Sequence, residues 1–260
     1  MSAETFTAID EKLSDLDPTT TTTNTESVLP SVVNKGRLPY WLVNVPRDQW
    51  PDSCPEYLKE QSDKNIGILA TPDEEYEWIR WEKVKELVRT NDIGKFQRLP
   101  SDLRRYLEYM FYLKQKYGSI MDFVVSERLH WDQEGGLKAR GQPFECDDDL
   151  KILYNDWPYG LEKGIVHLVI WTKFELEEDP ATGLLTESMW KKIDDYVGRV
   201  FRSRIPADQI VWFKNWKSLK SIHAIEHFHV MLNHPDMEFI KEITNGDVPL
   251  VEKVTQGRAP

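Results

Sequence analysis

In the segment Glu226–Leu232, EHFHVML, side chains alternate with a period of two. A strand there sets Phe228, Val230 and Leu232 on one face and His227, His229 and Met231 on the other. The apolar face is the core side, so the imidazoles face a pocket or a second layer. The β-branched run GIVHLVIW (Gly164–Trp171) and the stretch QIVWFKNW (Gln209–Trp216) read as further strands, and DDDLKILYNDWPYG is a short apolar run ending in a turn.

Upstream the period changes. Thr71, Pro72 and Glu74 have the form of an N-cap, a first-turn proline and an acidic partner, predicting a helix to about Arg89 with Trp78, Trp81, Val84 and Val88 near one face. Ser101 is placed to cap a second helix, in which Leu103, Tyr106, Leu107, Met110 and Leu113 recur at helical spacing until Gly118. SIMDFVVSERLHW continues this helical layer. Thr186 opens a helix with Met189, Ile193, Val197, Val200 and Phe201 on one face.

The expected class is α+β, with a small, mostly antiparallel sheet in the C-terminal half covered by helices from the N-terminal half. Residues 1–35, polar and carrying a Thr run at 19–23, have little to bury and are expected to form a disordered tail. Residues 36–260 are expected to form a single domain: an extended arm at 36–70 interrupted by Pro39, Pro46 and Pro51, a helical layer at 71–131 and a sheet-containing core at 144–234.

The chain has no run of eighteen apolar residues, and its acidic N-terminus lacks a secretory h-region, so a cytoplasmic protein without membrane contact is expected. Cys54 and Cys146 fit neither a disulfide framework nor a zinc ribbon and read as free thiols. A net charge of −11 argues against DNA or a non-specific nucleic-acid coat. Local basic faces remain at RLPSDLRRY (Arg98, Arg104, Arg105) and GRVFRSR (Arg199, Arg202, Arg204), either to dock one particular RNA or as solvated helix faces.

Several groups are candidates for chemistry. His227 and His229 at i and i+2 can ligate zinc if His167 joins them from a neighbouring strand, but no Cys pair or helical HExxH accompanies them, and neither metal nor cofactor is expected. In the turn YNDWPYG, Asn155 and Asp156 can hydrogen-bond their own backbone, Pro158 fixes φ and Gly160 is available for positive φ. Trp157, Tyr159 and the Asp156 carboxylate then stand at a strand end, where ligands often bind. The adjacent Asp194 and Asp195, followed by a helical Gly198, can hold a guanidinium or lie solvated beside Lys191 and Lys192. Arg128 can clamp an anion or brace Glu127 or Asp122, and Lys214, Asn215 and Trp216 add polar and bulky groups at a strand end.

The blocks PSDLRRYLEY, YGS, ERLHW, KILYNDWPYG, IVHLVIWTK and WFKNWKSLKSIHAIEHFHV together resemble the fungal N-acetylglucosamine-induced protein family, a domain of unknown function, over about residues 70 to 232. The resemblance implies a fungal, intracellular protein linked to an amino-sugar response. That family is in turn similar to fungal arginine-containing cyclodipeptide synthases, which form cyclo-Arg-Xaa products from aminoacyl-tRNA. This implies a transferase in which Asp194 and Asp195 grip arginine and Glu226, His227 or His229 moves the proton. Arg128, Asn155, Asp156, Trp157, Tyr159, His167, Lys214, Asn215 and Trp216 would line the substrate pocket, and Arg104, Arg105, Arg199 and Arg202 would meet the charged tRNA. Gly198 stands where that subgroup carries Glu. The alternative is a non-catalytic member binding a sugar, a nucleotide or a partner protein. A third reading is a nucleotide hydrolase, since the strand resembles that of the histidine-triad enzymes, although Met231 takes the place of the third imidazole.

Overall fold

The computed structural model describes residues 38–133, 136–215 and 225–255. The expected tail at 1–35, the substrate-pocket candidate Trp216 and His223 lie outside them. Strand β1 (Leu150–Tyr154), β2 (Ile165–Thr172), β3 (Ile210–Phe213) and β4 (Glu226–Asn233) form one antiparallel sheet in the order β1-β2-β4-β3. The β2–β4 pair is its spine, aligning Val169 with His229 and Trp171 with His227. The fold class is therefore α+β, as the alternating and β-branched runs predicted.

The alternation in β4 decides what each face meets. Phe228, Val230 and Leu232 join Leu168 and Ile170 of β2 against Ile193 and Val197 of a helix at Glu187–Val197 and Ile240 of one at Met237–Ile243. Thr186 caps the first of these, its hydroxyl accepting from the Met189 amide at 3.2 Å. The other face is also buried. There Phe213 and Met231 pack with Val84 and Leu87, while Leu153 and Trp171 pack with Leu113, Phe123 and Val124. In chain order the helices are α1 (Asp63–Leu69), α2 (Trp81–Arg89), α3 (Pro100–Tyr117), α4 (Ile120–Phe123), α5 (Glu187–Val197), α6 (Met237–Ile243) and α7 (Leu250–Thr255).

Three local expectations are corrected. No helix runs from Thr71 to Arg89: a single turn at Asp73–Glu75 gives way to extended chain, and α2 begins at Trp81. Tertiary partners take the backbone groups the cap would have used. The Asp73 amide donates to Asn44 Oδ1, the Asp73 carboxylate accepts from the Ser101 amide, and Ile79 pairs with the chain around Gly160 through Ile79 N–H to Gly160 O at 2.9 Å. Ser101 is accordingly inside α3, with Pro100 at its start and Gly118 at φ 79° closing it. The arm at 36–70 also contains α1, capped by Ser62, whose Ile68 and Leu69 pack with Leu58 against Leu103.

Gly160 is not at positive φ. A glycine is needed for a different reason: a Cβ there would overlap the ring of Tyr76, whose hydroxyl donates to Gln97 O and Gly160 O. Gly160→Ala is expected to destabilise the protein by about 1–3 kcal/mol, read as a lower urea midpoint at unchanged slope. Tyr76→Ala in the same background should recover part of that loss.

Candidate functional site

Between the histidine-bearing face of the sheet and α3–α4 lies a partly open cavity of about 180 Å³. Period-two alternation brings His227 and His229 to it from β4, and Val169 and Trp171 from β2. The turn after β1 supplies Asn155, Trp157 and Tyr159; β3 leads into Asn215; the chain ahead of α3 supplies Arg98 and α3 itself Tyr106. Sequence reading thus placed Asn155, Trp157, Tyr159, Asn215, His227 and His229 in one pocket.

The polar groups form a chain. Asn215 Nδ2 is 3.0 Å from His229 Nε2, and His229 Nδ1 is 3.0 Å from His167 Nε2. With the Asn215 amide donating, neutral His229 carries its proton on Nδ1 and donates it to His167. The Asn155 amide nitrogen is 3.3 and 3.4 Å from the two nitrogens of His167, approaching the ring without singling out either. Phe213 stacks on His229 at 4.9 Å and Tyr159 lies 5.2 Å from His167. His227 packs on Trp171 at 4.5 Å, its Nδ1 bonded to Ile225 O at 3.0 Å. Because a carbonyl only accepts, that nitrogen carries the proton. The zinc arrangement is not formed: His167 and His229 bond to each other, and among the described residues no three metal-ligating side chains converge.

Arg98 was grouped with Arg104 and Arg105 as a basic helix face, yet it lines the cavity. Its Nε donates to Trp157 O at 2.9 Å, and its guanidinium lies 4.1 Å from the Tyr106 ring and 5.7 Å from that of Tyr159. Among the described residues no carboxylate pairs with it. The indole N–H of Trp157, a residue only 3% exposed, likewise has no hydrogen-bond partner among the described residues.

Arg128 has another task. It is delivered by a π-helical turn, Val124–Leu129, that follows α4 and ends at His130 in left-handed conformation. Its guanidinium is buried and held by both Asp156 (Nε–Oδ2 2.9 Å) and Asp247 (2.8 and 2.9 Å). The expected anion clamp is thus an internal brace, with neither Glu127 nor Asp122 as its partner. Asp156 lines the cavity but is engaged by Arg128 and by the Leu250 amide at 3.1 Å; burial pushes its carboxyl up, and Arg128 pulls it back.

The other predicted site residues do not join the pocket. Asp194 and Asp195 lie on α5, across the sheet. Asp194 does hold a guanidinium, but it is that of Arg202 (2.6 and 2.9 Å), and it also accepts from Trp212 Nε1; Asp195 pairs with Lys191 at the surface. Gly198 marks no close approach, since a Cβ there would meet only Arg202 at 3.6 Å. Glu226 shares the parity of Phe228 and sits with Lys214, which also binds Glu178, so neither residue reaches the histidine chain. The two arginine pairs assigned to tRNA stand on opposite sides of the sheet. Arg104 donates to Tyr40 O and Arg105 to Asp102 and Thr255 on one side; Arg199 donates to Phe144 O and Arg202 to Asp194 on the other. They do not make one face.

Trp171, Tyr106 and Asp247 were missed. The parity that marks His167 also marks Trp171 four residues on, so that signal was present; Asp247, in a turn far from its partner, offered none.

Fold and site together define an α+β protein built around a pocket lined by imidazoles, amides and aromatic rings. The chain belongs to the family described as "Protein of unknown function (DUF3605)", which matches residues 80–233. It is 30% identical over 185 residues to N-acetylglucosamine-induced protein 1 of Candida albicans, covering 64% of this chain and 72% of that protein. It is 26% identical over 179 residues to an uncharacterized protein of Saccharomyces cerevisiae, covering 67% and 89%. A crystal structure of HTC1 superposes with TM-score 0.51 at 25% identity, over 71% of this chain and 99% of that one. The resemblance read from NDWPYG, WFKNW and HFHV therefore names the right family. Among the described residues, no helix is long and apolar enough to cross a membrane.

Both bonded imidazoles are depressed. Burial, and then the charge of Arg98, lowers His167 to about 3; burial, and then His167, His227 and Arg98, holds His229 well below the usual value. A depressed folded pKa means that the unfolded chain takes up protons near pH 6.5 while the native state does not. The stability these groups hold above that pH is lost as pH falls toward about 3. The slope is about 1.4 kcal/mol per pH unit for each imidazole. Urea unfolding of His167→Gln between about pH 6 and pH 4 should therefore show a shallower pH dependence by about that amount. An unchanged slope would mean His167 is charged in the native protein.

Proposed function

We propose that this protein binds a small organic anion in the pocket between the sheet and α3–α4. The observation that carries this reading is Arg98. Its guanidinium lies near two tyrosine rings at the cavity wall, and among the described residues no carboxylate neutralises it. A guanidinium without a counter-charge offers its free N–H groups to an anionic ligand, which supplies the acceptors. Among the described residues the lining contains no free carboxylate, because Asp156 is held by Arg128, so a cation such as an arginine side chain meets a positive charge there without a counter-charge.

The same geometry weighs against the cyclodipeptide synthase. That chemistry needs a carboxylate grip on the substrate guanidinium beside a proton acceptor. Here the Asp194–Asp195 pair and the histidines are separated by the sheet, and Asp194 already holds Arg202. The reading is one of binding, within a family that includes a protein named for its induction by N-acetylglucosamine.

Titration calorimetry against carboxylate- and phosphate-bearing metabolites, with free arginine as the cationic control, tests it. An anion should bind the wild-type chain, and Arg98→Gln should weaken it by about 10- to 100-fold, the loss expected for one charge-assisted pair. Binding of arginine in preference to every anion, no binding by any of them, or unchanged anion affinity in Arg98→Gln would overturn the proposal.

A further inference from the structure

Resting on that reading, we infer that the ligand is a monocarboxylic acid with a compact apolar body, and not a polyol, a sugar phosphate or a nucleotide. The two ends of the cavity differ. At one end stand Arg98, Asn215, His229 and Tyr159, and at the other Leu113, Ile120, Phe123, Val124, Trp171 and Leu250. The step between them follows the strand register. Moving along the sheet from the Val169–His229 pair to the Trp171–His227 pair advances about 7 Å, the length of two strand residues, from the arginine toward α4.

Charge limits the head group. Among the described residues the lining presents one guanidinium, and His229, hydrogen-bonded to His167 behind it and held neutral by burial, adds no charge. One cation balances a monoanion; a dianion would leave a buried charge without a partner. With Arg98 Nε tied to Trp157 O, the Nη1 and Nη2 edge of the guanidinium is left to form a fork on the two oxygens of a carboxylate.

Polarity limits the body. The α3–α4 end offers aliphatic and aromatic side chains, so the hydroxyls of a sugar would lose water there without gaining partners. Volume favours a small body: about 180 Å³ holds on the order of ten heavy atoms at interior packing density.

Titration calorimetry of the full chain with phenylacetate, acetate, phenylacetamide, N-acetylglucosamine 6-phosphate and inorganic phosphate separates these claims. Phenylacetate should bind about 10- to 100-fold tighter than acetate, from burial of the ring, and about 10-fold or more tighter than the neutral amide. Val124→Thr, nearly isosteric but carrying a hydroxyl, should weaken phenylacetate several-fold and leave acetate unchanged. Equal binding of acetate and phenylacetate would overturn the inference. So would preference for the sugar phosphate; if that preference still depends on Arg98, the organic-anion function stands while this ligand class falls. If no anion binds, both fall together.

Discussion

The pocket depends on one buried cation. Arg128 is held in two forks by Asp156 and Asp247, and those carboxylates also accept from the backbone amides of Leu250 and Tyr154. Three segments distant in sequence meet there: the turn after α4, the turn after β1 and the chain that leads into α7. Two carboxylates for one guanidinium leave an excess negative charge, which the backbone donors help to offset. Removing one partner of a buried pair typically costs about 3–5 kcal/mol, because the survivor stays buried without its counter-charge. The π-helical turn shifts the register of the helix so that Arg128 points inward, and the αL residue His130 ends it. With Asp156 fixed in this way, the next residues, Trp157 and Tyr159, reach the cavity from a rigid corner.

The same placement explains why a sheet face rich in histidine can be dry. A neutral imidazole donates through one nitrogen and accepts through the other, so His229 satisfies Asn215 and His167 together without bringing in charge. Protonating either ring would set a second cation near Arg98. Burial and Arg98 therefore act in one direction on both histidines, and the cavity keeps a single positive charge. The opposite face of the sheet has no such demands. Phe228, Val230 and Leu232 close against α5 with ordinary apolar contacts, so one strand supplies the core with its even positions and the pocket with its odd ones.

The readable parts of the sequence were those in which neighbours along the chain decide the outcome. Period-two patterning in β2 and β4, the Thr186 cap and the Asx turn at Asn155, whose Oδ1 accepts from the Trp157 amide, all act within a few residues. The parts that went unread depend on partners far away. Thr71, Pro72 and Glu74 looked like a helix start, but the Asp73 amide and carboxylate between them bond to Asn44 and Ser101; Gly160 looked like a positive-φ turn residue, but it is the Tyr76 ring that requires a glycine there. Arg128 and Asp247 are 119 residues apart, and nothing near either one announces the other. Asp194 and Asp195 invited a catalytic reading because a carboxylate pair has the same local form whether its guanidinium belongs to a substrate or to Arg202.

That last ambiguity is physical, and the sheet resolves it. A guanidinium held by a carboxylate occurs on both sides: Arg202 with Asp194 on the α5 side, and Arg128 with Asp156 on the α3 side. Each is complete within the protein, which makes it a fastener. Arg98 differs because it lines the cavity with aromatic rings and a carbonyl for neighbours in place of an acid. Stacking on tyrosine stabilises a guanidinium without neutralising it, so its charge remains available in the pocket. Available charge in a concave site distinguishes a residue that recognises something from one that holds the fold, and here it falls to the arginine that the sequence had placed on the surface.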